Sequence, residues 1–142
     1  MSPTDALEVA VRARLVASDD LTDLVPAEHI GDRHGRPAHF PSIIFGEGQE
    51  VPAAVSFDRR HVWAYVTLHV WDRSPGLGTV KTIAHAVRTA LHGVPLELDG
   101  FALLDESWTG TRFLRDPSGD VAHAVMTFEA LVEEPLLEGV AP

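Results

Sequence analysis

The chain contains no cysteine. That excludes disulfide frameworks, thiolate zinc sites and cysteine nucleophiles together. It contains a single lysine, Lys81, and its 21 acidic side chains outnumber 11 basic ones for a formal charge of −10. Tight nucleic-acid binding needs clustered Lys and Arg to displace counterions, so a DNA-reading role is not expected. No apolar run approaches the roughly 18 to 20 residues that span a bilayer. The opening Met1-Ser2-Pro3-Thr4-Asp5 has neither a basic region nor an apolar run behind it, so no signal peptide and no membrane partner are expected.

The remainder is ordinary globular material, 45% hydrophobic and 23% charged over 142 residues. One domain, 1–142, is expected, with a core over about residues 4–133 and a C-terminal tail at 134–142.

Ser2 and Asp5 have capping-box spacing, and Leu7, Ala10, Val11 and Leu15 recur at helical spacing, which predicts a helix over Thr4–Ala17. Leu21–Val25 adds one more turn, and Ala27–Arg33 reads as a short extended piece before the Gly/Pro turn at Asp32–Pro37. Ser42–Gly46 is a strand. Glu47–Arg60 shows no period and reads as a long loop, from which about Gly48 to Ala54 should be removable without loss of the fold. His61–Trp71 is the clearest strand: Val62, Ala64, Val66, Leu68 and Val70 fall on one face, Trp63, Tyr65, Thr67, His69 and Trp71 on the other. A second helix follows, capped by Ser74 or Thr79, with Val80, Ile83, Ala84, Val87 and Leu91 as its stripe and Gly93 and Pro95 as its end.

Leu96–Leu98 and Phe101–Leu104 flank Asp99-Gly100 as a hairpin, Trp108–Leu114 is a further strand, and Asp116–Asp120 turns into a final strand over Val121–Val132. That final strand turns Ala122, Ala124, Met126, Phe128, Ala130 and Val132 to one face. This order predicts an α+β fold: a mainly antiparallel sheet of about four to five strands with two helices on one face. The face carrying Trp63, Tyr65 and Trp71 is then left as a partner surface, unless the 47–60 loop folds over it.

Three motifs invite chemistry and fail. His29, His34 and His39, near Glu28 and Asp32, have five-residue spacing across a Gly/Pro loop, which does not bring ligands together as zinc requires. Gly76-Leu77-Gly78-Thr79-Val80-Lys81 opens a helix but lacks the third glycine of a dinucleotide turn. Asp116-Pro117-Ser118-Gly119-Asp120 lacks the downstream glutamate of a calcium loop. There is no Gly-x-Ser-x-Gly elbow. No catalytic residue, metal site or cofactor is expected.

Several segments in order carry a resemblance: Phe40-Pro41-Ser42-Ile43-Ile44-Phe45-Gly46, Thr67-Leu68-His69-Val70-Trp71-Asp72-Arg73, the helix Val80–His92, Phe113-Leu114-Arg115-Asp116-Pro117-Ser118-Gly119 and Thr127-Phe128-Glu129-Ala130-Leu131-Val132-Glu133. From about Ala6 to Glu133 the chain resembles the tail-terminator, or tail-completion, subunits of long-tailed phages and gene-transfer agents. The resemblance implies a structural protein, not an enzyme: a subunit of a ring, typically hexameric, that caps the tail tube and meets a head-side connector. DNA would pass through its channel without specific binding. It places the protein in a virion or virus-like particle, at the head-proximal end of the tail, assembled in the bacterial cytoplasm. Expected partners are further copies of the chain, the tail-tube protein and the connector. Trp63, Tyr65 and Trp71, with Glu47, Glu50 and Asp58 of the loop, are the candidate interface residues. The alternative is a small cytoplasmic α+β enzyme or a ligand- or metal-binding domain using the His-rich 29–39 segment.

Overall fold

Ser2 opens the first helix through a reciprocal cap. Its hydroxyl accepts the Asp5 N–H at 3.2 Å, and the Asp5 carboxylate accepts the Ser2 N–H at 3.2 Å. The computed structural model describes residues 1–33, 37–93 and 95–136. The elements are α1 (Pro3–Val16), the one-turn α2 (Asp19–Thr22), β1 (Ile30–Asp32), β2 (Ser42–Pro52), β3 (His61–Asp72), α3 (Gly78–Leu91), β4 (Ala102–Arg115) and β5 (Ala122–Glu133). His34 and the tail beyond residue 136 lie outside the described residues.

The strands form one five-stranded sheet in the order β1-β2-β3-β5-β4. Every pairing is antiparallel except the short parallel β1–β2 contact. The α+β architecture is as expected. Leu7, Val11 and Leu15 of α1 and Val80, Ile83, Val87 and Leu91 of α3 share one buried cluster with alternate residues of the sheet. From β3 these are Ala64, Val66, Leu68 and Val70, and from β5 Ala122, Ala124, Met126, Phe128, Ala130 and Val132. The four alanines let the helices approach closely, and the long side chains supply the volume. Burying a leucine such as Leu7 or Leu15 stabilises the fold by roughly 1.5–3 kcal/mol.

Four expectations need correction. The long 47–60 loop does not exist as such. Glu47 enters a bulge between Phe45 and Gly48, and Gly48–Pro52 then continues to pair with Val66–Val62 of β3, leaving a loop only over 53–60. No period was visible because this half of β2 is exposed or nearly so on both faces. Deleting Gly48–Ala54 would therefore remove half a ladder. The segments 101–104 and 108–114 are one strand, β4, interrupted by irregularities at Leu103/Asp105 and Trp108/Gly110 that break the alternation. Leu96–Leu98 forms no strand, only a single Leu98–Phe101 bridge around the Asp99-Gly100 turn. Finally, α3 begins after Leu77 with no side-chain cap, so neither Ser74 nor Thr79 serves.

Candidate assembly surface

Opposite the helices, β3 presents Trp63, Tyr65, Thr67, His69 and Trp71, each half-buried. Facing them across the ladder on β5 stand Leu131, Glu129, Thr127, Val125 and His123. The three aromatics are strung out, because Trp63 and Trp71 are eight residues apart and so about 26 Å apart along an extended chain. The 47–60 segment, whose folding over them is the alternative to a partner surface, is instead part of the sheet or of its end.

At one end of this face sits a compact polar stack. Trp71 and His123 lie ring on ring, 3.8 Å between centroids and 7° from parallel. His123 Nε2 is 2.8 Å from His69 Nδ1, so one imidazole donates and the other accepts. His69 Nε2 in turn lies 3.4 Å from the Glu47 carboxylate. Burial, and then the neighbouring His69, push the His123 pKa down to about 4, which keeps it neutral near pH 7. Room for His69 comes from Gly46, where any Cβ would overlap the imidazole.

At the opposite end, the 53–60 loop is latched to the sheet. Arg60 donates to the Glu134 carbonyl at 3.0 Å and sits 3.6 Å from the Glu133 carboxylate. Asp58 accepts from the Ser56 hydroxyl at 2.5 Å and from Arg60 Nε at 2.6 Å, which together lower its pKa to about 2. His61 lies between Ser56 Oγ at 2.9 Å and Glu133 at 3.0 Å. Serine, histidine and carboxylate in that order invite a nucleophilic reading. Here the serine proton is directed at Asp58, and the neighbouring Phe57 is 98% exposed, so the loop tip offers no wall to hold a substrate. The cluster ties loop to sheet.

The six candidate residues thus do not form one site. Trp63, Tyr65 and Trp71 share the open face, and Glu47 joins them through His69. Glu50 belongs to the other side: its carboxylate accepts from the Thr4 N–H at 2.9 Å and the Thr4 hydroxyl at 2.7 Å, at the start of α1, which lowers its pKa. Asp58 belongs to the loop latch. Sequence reasoning missed His123, Glu133 and Arg60, because their roles arise from cross-strand register. His123 alone left a trace, as a polar residue alternating with the apolar face of β5.

The histidine-rich segment brings His29 and His39 together with stacked rings 5.3 Å apart. His29 Nδ1 is 2.9 Å from the Pro41 carbonyl, which commits that nitrogen to the backbone. Among the described residues no three histidines or carboxylates converge as a metal site. A groove of about 540 Å³ between α3 and β4 is lined by His85, Arg88, His92, Glu106, Trp108 and Phe128, and the Arg88 guanidinium lies 3.7 Å over the Trp108 ring. Burial, and then Asp105, raise the Glu106 pKa.

A broad sheet with one helix-covered face, one aromatic face and polar clusters spent on internal bonds defines a structural domain that presents surfaces. Residues 9–133 match the model of the family described as tail completion protein gp17, and the chain belongs to that family. Its role is therefore that of a structural protein of a phage-type tail. Among solved structures, a chain from the virion of a native gene transfer agent particle superposes with a TM-score of 0.78 at 24% identity, over 94% of this chain and 99% of that one. The gp17 protein of bacteriophage SPP1 superposes with a TM-score of 0.62 at 18% identity, over 97% and 94%. At such identities these likenesses establish the fold. No curated protein sequence matches the chain.

Proposed function

We propose that this chain is a tail terminator: a subunit of a closed ring, hexameric as the family resemblance implies, that caps the tail tube and meets the head-side connector. The observation that carries this reading is the open sheet face, where Trp63, Tyr65 and Trp71 stand half-buried, with no helix over them among the described residues. In a chain that belongs to a tail completion family, such a face is best explained as a contact with another virion protein. Glu47 and the His69–His123–Trp71 stack extend the same surface, while Glu50, bonded to the start of α1, and Asp58, bonded within the loop latch, are no part of it.

The charge supports the rest of the reading. A ring built from subunits of formal charge −10 would present carboxylates to any DNA in its channel, and like charges let a polyanion pass without being held. Electron microscopy of purified particles should find a closed ring of this chain at the head-proximal end of the tail. In cells lacking the chain, tube polymerisation should run past its normal length. Tails of unchanged length and normal head attachment would overturn the reading.

A further inference from the structure

The sheet has two free edges, and they are unlike. β4 is one edge strand, 14 residues long and paired, among the described residues, with β5 alone. The other edge is composite. The three-residue β1 covers β2 only from Ile43 to Phe45, so beyond the bulge Gly48–Pro52 faces outward with no strand beside it among the described residues. Natural edges are usually blunted because a row of unpaired N–H and C=O groups templates another strand. Here the irregularities at Phe45/Gly48 and Trp108/Gly110 serve that end only in part. Past each of them runs a regular, exposed stretch of similar length, Gly48–Pro52 on one edge and Gly110–Arg115 on the other.

Their charges are opposite. Arg112 and Arg115 belong to the regular part of β4, and Lys81 and Arg88 of α3 lie over its Phe113 and Trp108 rings, at 5.6 and 3.7 Å. The two carboxylates of β4, Asp105 and Glu106, fall on the far side of the Trp108/Gly110 irregularity. The β2 edge carries Glu47 and Glu50, and the charge of Asp5 on α1 acts on Glu50. Arg12, which lines a groove with Asp5 and Phe45, already donates to the carbonyls of Ile30 at 2.8 Å and Ala27 at 3.3 Å. In a chain of strong net negative charge, a cationic edge is the exception, and it faces away from the acidic one.

Strand direction agrees. Between β2 and β4 the sheet reverses three times, so the two edges run in opposite directions. A rotation about an axis along the strands keeps direction. It therefore sets β4 of one copy antiparallel to β2 of the next, continuing the pattern of the sheet. Two different patches that meet head to tail are what a closed ring requires, and main-chain pairing at an exposed edge is a recurrent way to join chains.

We infer that the Gly110–Arg115 edge of one copy pairs with the Gly48–Pro52 edge of the next, joining neighbouring subunits into one continuous sheet. This rests on the ring reading above and adds the joint that builds it. The contact leaves the aromatic face free for a different partner.

The absence of cysteine makes the test clean. Gln49→Cys and Arg112→Cys, both at exposed positions, are introduced together, and purified particles are treated with a short bis-maleimide. Denaturing gels should show a ladder from dimer up to the full ring, while each single variant runs as monomer. Matching thermal melts of the variant and the parent chain establish that the fold is intact. A ring visible by microscopy without a ladder overturns this joint and leaves the ring reading standing. Particles with no ring at all overturn both.

Discussion

The two faces of the sheet are made from the same strands, residue by residue in alternation, and they are built on opposite plans. The helix-covered face intersperses four alanines, Ala64, Ala122, Ala124 and Ala130, with Leu68, Met126 and Phe128, and takes the rest of its bulk from α1 and α3. The open face carries two of the three tryptophans, Trp63 and Trp71, with Tyr65, and sets them among Val125, Leu131, hydroxyls, imidazoles and a carboxylate. On the covered side the neighbour is known to the chain, so space is reserved for it. On the open side the strands carry their own bulk, as a surface does that meets a partner the chain does not encode.

The largest effect should come from breaking the covered side. Phe128 is 5% exposed and forms the wall of the α3–β4 groove, so Phe128→Ala should cost about 3 kcal/mol, toward the low end for a buried phenylalanine because the site already opens on a cavity. Glu129→Ala, one residue along and on the other face, should change stability by less than about 0.5 kcal/mol in the same denaturant titration. Equal effects would mean that the two faces are not distinct.

A smaller loss is expected where the open face is most tightly built. Gly46→Ala puts a methyl into the His69 ring, so the imidazole must swing away from His123. Such overpacking costs roughly 1–3 kcal/mol, and the displaced side chain holds it near the lower figure. Urea unfolding of the variant should show the loss, and the His69 ring resonances should move.

Acid provides a milder break. His123 has its folded pKa lowered to about 4, below the ordinary value of 6.5 for an unfolded histidine. Between those values the unfolded chain binds a proton that the fold refuses, so stability is full above about pH 6.5 and falls as the pH drops toward 4. With its partial exposure, the loss should be about 1–2 kcal/mol. His123→Phe keeps a ring on Trp71 and should flatten this acid limb. A limb that is unchanged would assign it to other groups.

The smallest change in stability should accompany the largest change in assembly. Trp63→Ala removes a half-buried cross-strand contact worth about 0.2–1 kcal/mol, and the melting curve should barely move. Under the proposed role, the yield of joined particles should drop markedly. Normal yields would remove Trp63 from the contact surface and sharpen attention on Trp71 and Tyr65.

Much of this was legible in the chain itself, for a definite reason. Periodicity of 3.6 in α1 and α3 and of two in β3 and β5 reports which side of an element meets the core, and those four elements stand as read. The family resemblance was legible too, because it lives in the order of local segments. Where both sides of a strand are wet, as in Gly48–Pro52, no period survives, and a bulge that shifts the alternation hides the rest. The merging of β4 across its two irregularities was hidden in the same way.

By itself the sequence determined α1, α3, β3 and β5, the face they cover, and the lack of thiol chemistry and of clustered DNA-binding charge. It did so because those depend on neighbours near in the chain or on counts alone. Only the tertiary structure decided that His69, His123 and Trp71 meet, that Glu50 closes the start of α1, that Asp58 is spent on a loop latch, and that two edges of opposite charge are left open. Apart from the Asp58 bonds, which are local to Ser56 and Arg60, each of those is a matter of strand order and register between residues far apart in the chain, and register is set by the whole sheet closing on its helices.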